Sequence, residues 1–157
     1  MANIYNLFKF LEDKKGKPIP FKAKLIHAPE TLTKEDLNVE GDLNLKNTKI
    51  SSLPDNLKVE GSLYLYNTPI SSLPDNLKVE GSLNLRNTKI SSLPDNLKVG
   101  GYLDLEYTQI SSLPENLKVG GDLYLIGTPL AEKYSEEQIK KMIEDKGGEV
   151  KGEIFTY

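Results

Sequence analysis

The sequence contains no cysteine, no tryptophan and only one histidine, and aromatic residues make up just 8% of its 157 residues. Without cysteine there can be no disulfides, no thiolate metal site and no thiol nucleophile. The single histidine, His27, lies ahead of the repetitive part of the chain, and no motif around it indicates a Ser–His–Asp site. We therefore expect no enzymatic activity, no metal and no cofactor.

An excess of charge of one sign is also missing, since 20 basic residues stand against 23 acidic ones. This near balance gives no electrostatic footprint for nucleic acid. No apolar run approaches the roughly 20 residues that cross a membrane. The N-terminal apolar residues are interrupted by Lys9, Glu12 and Asp13, which is unlike a secretory leader. We expect no nucleic-acid or membrane partner, and a protein that is cytoplasmic or delivered without a cleaved signal peptide.

Repetition is what the sequence has in abundance. The stretch LPDNLKVEGSLYLYNTPISS begins at Leu53 and returns, with a few changed letters, every 20 residues. A short fixed period is typical of a solenoid, in which each repeat forms one coil that stacks on the next. Within the coil, apolar residues alternate with polar ones from Leu57 to Leu65, which predicts extended chain with one buried side. Pro74, Asp75 and Asn76 then predict a turn.

Equivalent positions of successive coils form ladders of one residue type. We predict that the leucine, valine and isoleucine ladders share one continuous core, because a single coil could not bury them. Threonine and asparagine ladders mark the corners, where their side chains are expected to hydrogen-bond the freed backbone. Glycine stands at one equivalent position in every coil, so either φ is positive there or neighbouring backbones pass too close for a Cβ. These ladders include Leu43, Leu63, Leu83, Leu103 and Leu123; Thr48, Thr68, Thr88, Thr108 and Thr128; Asn56, Asn76, Asn96 and Asn116; and Gly41, Gly61, Gly81, Gly101 and Gly121.

The two ends differ from the coils and predict caps, so the chain is interpreted as one domain, 1–157. Residues 1–32 are predicted to hold a helix over 4–15 and an irregular or extended lead-in, and 33–132 to form five repeats. Residues 133–157 are predicted to add a helix and a closing strand. Ser135 and Gln138 have the spacing of a capping box, and EVKGEIFTY repeats the apolar pattern of KVEGSLYLY.

The core pattern LxLxxTxIxxLPxxL, as in Leu63–Leu77, resembles the short LPX class of leucine-rich repeats of bacterial type III secreted effectors. Threonine replaces the usual asparagine, and the LKVEGSL arm is similar to the coils of receptor L domains. The resemblance implies an α/β repeat solenoid, mainly β and right-handed, with a parallel sheet of about five rungs, a helix at each end and a role in protein recognition. Some relatives carry a ubiquitin-ligase domain with a catalytic cysteine; this chain has no cysteine, so that activity is not implied.

Differences between the coils concentrate around the LxL strand, at positions that alternate with buried leucines and so point outward. We predict that they form a protein-binding face, because tyrosine and arginine dominate interface energetics. The predicted partner-binding residues are Asn44, Lys46, Tyr64, Tyr66, Asn84, Arg86, Tyr102, Asp104, Glu106, Tyr124 and Ile126. The alternative is that exposed positions drift after recent duplication, in a rigid structural or spacer protein such as a virion or surface component. We interpret the protein as a bacterial or phage recognition or inhibitor module, and a monomer is favoured over an oligomer.

Two charged groups suggest chemistry only weakly. Asp104 and Glu106 lie on one strand, as paired catalytic carboxylates can, but Arg86 is one coil away and favours a salt bridge with Glu106. Arg86 is also expected to stack on Tyr66. A lysine ladder runs three residues from an acidic one, so we expect the two to neutralise each other. These ladders are Lys58, Lys78, Lys98 and Lys118, and Asp55, Asp75, Asp95 and Glu115.

Overall fold

A computed structural model describes Gly16 and residues 19–157 of the chain. The predicted helix over 4–15 lies outside the described residues. The described part is a parallel β-solenoid with helices near both ends, which confirms the fold class predicted from the repeat. Within these described ranges, no helix is long and apolar enough to cross a membrane.

Each coil contributes two short strands, which build two parallel sheets of six strands each. The LxL sheet was predicted, whereas the repeat alone left open whether the LKVEG arm forms a second strand. The strands of this second sheet, here called the KV sheet, are β1 (Asn38–Val39), β3 (Lys58–Val59), β5 (Lys78–Val79), β7 (Lys98–Val99), β9 (Lys118–Val119) and β11 (Glu149–Val150). The strands of the LxL sheet are β2 (Leu43–Asn44), β4 (Leu63–Tyr64), β6 (Leu83–Asn84), β8 (Leu103–Asp104), β10 (Leu123–Tyr124) and β12 (Ile154–Phe155).

The strands pair in the register of the repeat, so that each residue lies beside its equivalent in the next coil. Leu63 lies opposite Leu83, and Lys58 lies opposite Lys78. The inner leucines Leu63, Leu65 and Leu85 are fully buried. Burying each such side chain contributes about 1.5–3 kcal/mol, which explains why the apolar ladders specify the stack.

The corners are held by hydrogen bonds within and between coils. Each corner threonine behaves as predicted: Thr68 Oγ1 donates to the Leu65 carbonyl of its own coil at 2.6 Å. The asparagines of the LPDN turn do not bond backbone as predicted. Asn56, Asn96 and Asn116 adopt positive φ, with a value of 62° at Asn56. The side chains of the turn asparagines bond each other between coils. Asn76 Nδ2 donates to Asn56 Oδ1 at 3.2 Å.

The glycine ladder is explained by close backbone approach in the inner coils. A Cβ on Gly81 would lie 2.7 Å from the Gly61 carbonyl carbon, which is closer than real Cβ contacts. In the first coil Gly41 instead has a φ of 72°. Both explanations that the sequence left open therefore occur, at different coils.

The predicted irregular or extended lead-in is wrong, because it contains helix α1 (Phe21–His27), followed by a 3₁₀ turn, Pro29–Thr31. The neighbouring prolines suggested irregular chain, but Pro20 lies just before the helix, where its missing N–H costs no intrahelical hydrogen bond. Leu25 packs into the core. Lys24 Nζ lies 3.1 Å from an oxygen of Asp36 and ties the helix to the first coil.

At the C-terminal end, α2 (Pro129–Lys133) leads into α3 (Glu136–Asp145). The predicted capping box is present: Ser135 Oγ accepts from the Gln138 N–H, and Gln138 Oε1 accepts from the Ser135 N–H. Ile139 and Ile143 of α3 are buried, as the apolar spacing predicts. The chain then returns as β11 and β12, with Val150 beside Val119 and Ile154 beside Leu123. The tail therefore supplies the predicted closing strand after the five repeats, as a sixth strand in both sheets.

Candidate protein-binding face

The predicted residues lie on or beside the strands of the LxL sheet, on the side away from the core. We call this side the outer face. It comprises the second residue of each LxL strand and the residues two positions before and after it in the chain, together with Tyr107, Phe155 and Tyr157. Exposure across it is uneven. Asn44, Lys46 and Arg86 are exposed, whereas the tyrosines of the predicted set are half-buried. Asp104 and Glu106 are each only 8% exposed, because neighbouring side chains cover them on this side of the sheet.

A row of aromatic rings crosses the last three rungs of the outer face. The Tyr102 and Tyr124 rings meet edge to face, with centroids 6.0 Å apart. The Tyr124 ring stacks on that of Phe155 at 5.0 Å and an interplanar angle of 9°. Such pairs contribute about 0.5–1.5 kcal/mol beyond their buried area. Phe155 was not among the predicted residues, although the match of EVKGEIFTY to the repeat places it beside Tyr124.

Arg86 joins the middle of the outer face to this row. It forms the predicted salt bridge with Glu106. Its guanidinium lies over the ring of Tyr107, 5.1 Å from the centroid, and not over Tyr66 as expected. Lys46 takes the place over Tyr66, at 5.6 Å. The ring that covers Arg86 therefore belongs to the following coil. Glu106, the salt-bridge partner of Arg86, is in the same coil, and Tyr107 follows it directly in the chain.

Tyr107 interrupts an asparagine ladder that sequence reasoning did not single out. Asn47, Asn67 and Asn87 occupy the equivalent position, each with positive φ. Their side chains bond in series: Asn67 Nδ2 donates to Asn47 Oδ1 at 3.0 Å, and Asn87 Nδ2 to Asn67 Oδ1 at 2.8 Å. The signal was visible in the sequence, where the N-T dipeptide becomes Y-T in one coil and G-T in the next.

Tyr107 has a φ of 55°, a conformation that Asn and Gly adopt far more readily than a tyrosine does. The following coil makes room for the tyrosine ring. A Cβ on Gly127 would lie 2.6 Å from Tyr107 Cδ1. The two coils thus depart from the ladder together, and the result is a tyrosine ring that is half exposed on the outer face.

The buried carboxylate Asp104 is fixed by two protein donors. Asn84 Nδ2 donates to its Oδ2, and the Glu106 N–H donates to its Oδ1, both at 3.0 Å. Burial raises the pKa of Asp104, and the nearby Glu106 charge raises it further. Burial likewise raises the pKa of the Tyr102 hydroxyl. Because Asp104 and Glu106 are already held by protein groups, the arrangement suits positioning of Arg86 better than proton transfer to a substrate.

The opposite side of the solenoid differs. The KV sheet presents Lys58, Lys78, Lys98 and Lys118. Across the part of the chain that the structure describes, no ion pair within 4 Å joins this ladder to the acidic one, so their mutual neutralisation stays a prediction. Lys58 instead pairs with Glu60 at 3.4 Å, and Glu115 pairs with Lys146 at 3.6 Å.

No family model, curated protein or solved structure matches this chain. Among the described residues, no group of three or more His, Cys, Asp or Glu side chains could hold a metal ion.

Proposed function

We propose that this protein is a non-enzymatic binding module that recognises another protein through the outer face of the LxL sheet. The observation that carries the proposal is the joint departure of Tyr107 and Gly127 from the asparagine ladder. A tyrosine at a φ of 55° costs about 1–2 kcal/mol in backbone conformation. It also removes an asparagine hydrogen bond between coils. Strained residues of this kind cluster at functional sites.

The side chains around Tyr107 fit the anatomy of a protein interface. Interface hot spots are enriched in tyrosine and arginine. Here Arg86 is held on one side by Glu106 and covered on the other by Tyr107. Its geometry is fixed before any partner arrives, which lowers the ordering cost of binding. The row Tyr102, Tyr124 and Phe155 adds rigid rings beside it.

The proposal extends to the type of module. The 20-residue coil and its parallel LxL sheet support a place in the short LPX class of leucine-rich repeats, with the KV sheet as the feature shared with receptor L-domain coils. We propose a bacterial or phage origin and a recognition or inhibitor role. We also propose that the protein acts as a monomer in the cytoplasm.

The test compares two triple variants that differ only in the sheet they alter. The outer-face set is Tyr66→Ala, Arg86→Ala and Tyr107→Ala, and the matched control is Lys58→Ala, Lys78→Ala and Lys98→Ala on the KV sheet. A partner is first isolated with the unchanged chain as bait, and both variants are then titrated with it by calorimetry. We expect the outer-face set to weaken binding by more than about 1 kcal/mol, and the lysine set to bind like the unchanged chain.

The lysine set should keep the melting temperature of the parent within a few degrees, whereas the outer-face set should lower it, because Arg86→Ala leaves the buried Glu106 carboxylate without its partner. Both titrations are therefore run at a temperature where circular dichroism shows each variant to be folded. A partner that loses binding to the lysine set but not to the outer-face set would show that the wrong sheet was chosen. A chain that retains no stoichiometric partner would favour a rigid spacer protein instead.

A further inference from the structure

The last strand of the LxL sheet, β12, has an outer edge that no described strand covers. In inner coils, the N–H groups of the two strand leucines donate to the next coil. Leu63 N–H donates to the Ser82 carbonyl and Leu65 N–H to the Asn84 carbonyl, both at 2.8 Å. Their equivalents in the last rung are Ile154 and Thr156. Within the described residues neither N–H has an acceptor, so the edge presents two donors in the register of a further strand.

A groove runs along this edge. It has a volume of about 540 Å³ and lies between β12 and the first turns of α3. Its charged lining comprises Glu136, Glu137, Glu153 and Lys140, so acidic groups exceed basic ones by three to one. Ile154, Phe155 and Tyr157 supply its apolar part, and Tyr157 is 92% exposed. Sheets usually blunt an open edge, whereas here the helix leaves room for an extended chain beside it.

The pleat determines which side chains such a chain would need. A strand that adds in parallel to β12 would place one outward side chain beside Phe155, at the position equivalent to Tyr124 and Phe155. The rings of these two residues already stack at 5.0 Å. The residues on either side of that outward position point the other way, toward the helix side, where Thr156 Oγ1 contacts Glu136 Oε1 at 3.4 Å. An aromatic residue therefore fits the first position, and basic residues fit the flanking two.

We propose that the β12 edge is a second binding site, which takes an extended peptide with an aromatic residue between two basic ones as a seventh strand. The peptide accepts hydrogen bonds from Ile154 and Thr156 and pairs its basic side chains with Glu136 and Glu137. Strand addition of this kind draws affinity from main-chain hydrogen bonds and specificity from alternate side chains. The site does not depend on Tyr66, Arg86 or Tyr107, so it stands or falls separately from the proposed function.

The test uses the peptide acetyl-Gly-Ser-Lys-Tyr-Lys-Ser-Gly-amide and the isotope-labelled full chain. We expect saturable shifts of the Ile154 and Thr156 amide resonances and slower hydrogen exchange at both. The control peptide carries glutamate in place of both lysines, and we expect it to bind at least about tenfold more weakly, a difference of about 1.4 kcal/mol. If the lysine peptide at millimolar concentration moves neither amide, or if both peptides bind alike, the proposal is wrong.

Two variants at one position separate the backbone donor from the side chain. Thr156→Pro removes the outward N–H, which edge strands tolerate, and should weaken the lysine peptide at least about tenfold. Thr156→Val keeps the N–H but loses the contact with Glu136, and should bind like the parent. Equal binding by the proline variant would overturn the proposal. If that variant does not fold, the amide shifts of the unchanged chain decide the question. Concentration-dependent self-association that moves the same amides without peptide would show that a second copy occupies the edge, and would also overturn the proposal.

Discussion

The LxL sheet and the KV sheet are built alike but present different surfaces. Both have six two-residue strands in parallel register, and both turn apolar residues toward one core. On the KV sheet the outward position is lysine in four consecutive coils, from Lys58 to Lys118. The equivalent outward position of the LxL strands reads Asn44, Tyr64, Asn84, Asp104, Tyr124 and Phe155.

This contrast shows that the backbone does not demand the variation. A lysine on every rung is compatible with the same strand geometry, since the KV sheet uses it repeatedly. From Lys58 to Lys118 the outward position is constant on the KV sheet but varies on the LxL sheet, which is also where Tyr107 departs from the asparagine ladder. The proposed partner of the outer face would account for this variation on the LxL sheet.

The largest expected effect tests whether the two sheets are equivalent on the inside. Leu85 and Val79 are buried on the inner sides of the LxL and KV sheets. Leu85→Asp and Val79→Asp should each lower the free energy of unfolding by several kcal/mol, because each buries an unpaired charge. Lys78→Asp is the exposed control and should change stability by less than about 0.5 kcal/mol. Denaturant titration measures all three, and a parent-like midpoint for Leu85→Asp would refute its inward assignment.

A smaller effect is expected from exchanging the residues of the asparagine ladders. Tyr107→Asn should raise the free energy of unfolding by about 1 kcal/mol. Asparagine tolerates positive φ, and its side-chain amide can hydrogen-bond Asn87 and so continue the ladder. The same change should weaken partner binding, since Arg86 loses the ring that covers it.

The reverse exchange on the other ladder is the matched control. Asn96 has a φ of 61° and accepts from Asn116 Nδ2 at 3.0 Å. Asn96→Tyr should lower stability by about 1–2 kcal/mol without affecting partner binding. Thermal and denaturant unfolding of both variants gives the comparison. If Tyr107→Asn lowered the free energy of unfolding, Tyr107 would not be destabilising at this position, and its presence would no longer support a functional role.

The smallest effect concerns the pH dependence of the LxL sheet. Burial, reinforced by the Glu106 charge, raises the pKa of Asp104. The folded state therefore binds this proton more readily than the unfolded chain, whose Asp pKa is about 3.9. Stability linked to Asp104 is lowest with the carboxylate ionised, and it increases as the pH falls from the raised folded pKa toward the unfolded one.

Asp104→Asn removes the titrating carboxyl group, so the contribution of that group to the pH dependence of the free energy of unfolding should disappear. We expect the free energy of unfolding of the variant, relative to the parent, to fall as the pH is lowered through that window. Lys98→Gln on the KV sheet serves as the control and should leave the profile unchanged there. A constant difference between Asp104→Asn and the parent at every pH would contradict the assigned pKa direction.

Much of this fold followed from the sequence, because a ladder position makes the same local demand in every coil. The 20-residue period, the inward leucines, the corner threonines and the Ser135 capping box depend on contacts that recur at fixed spacing. The same reasoning placed Ile154 beside Leu123 and could have placed Phe155 beside Tyr124. By contrast, the lead-in helix Phe21–His27 was missed, because its residues are stabilised by packing of Leu25 and pairing of Lys24 that no repeat reveals.

The sequence by itself determined the stack, its register and which sheet varies, because these follow from periodicity and burial. Tertiary structure alone decided how the variable residues meet. It covered Asp104 and Glu106, and it placed Arg86 over Tyr107 instead of Tyr66. These outcomes depend on side-chain direction and on the path of each corner between coils. Distances of a few ångströms between neighbouring rungs decide such contacts, and the order of residues along the chain does not specify them.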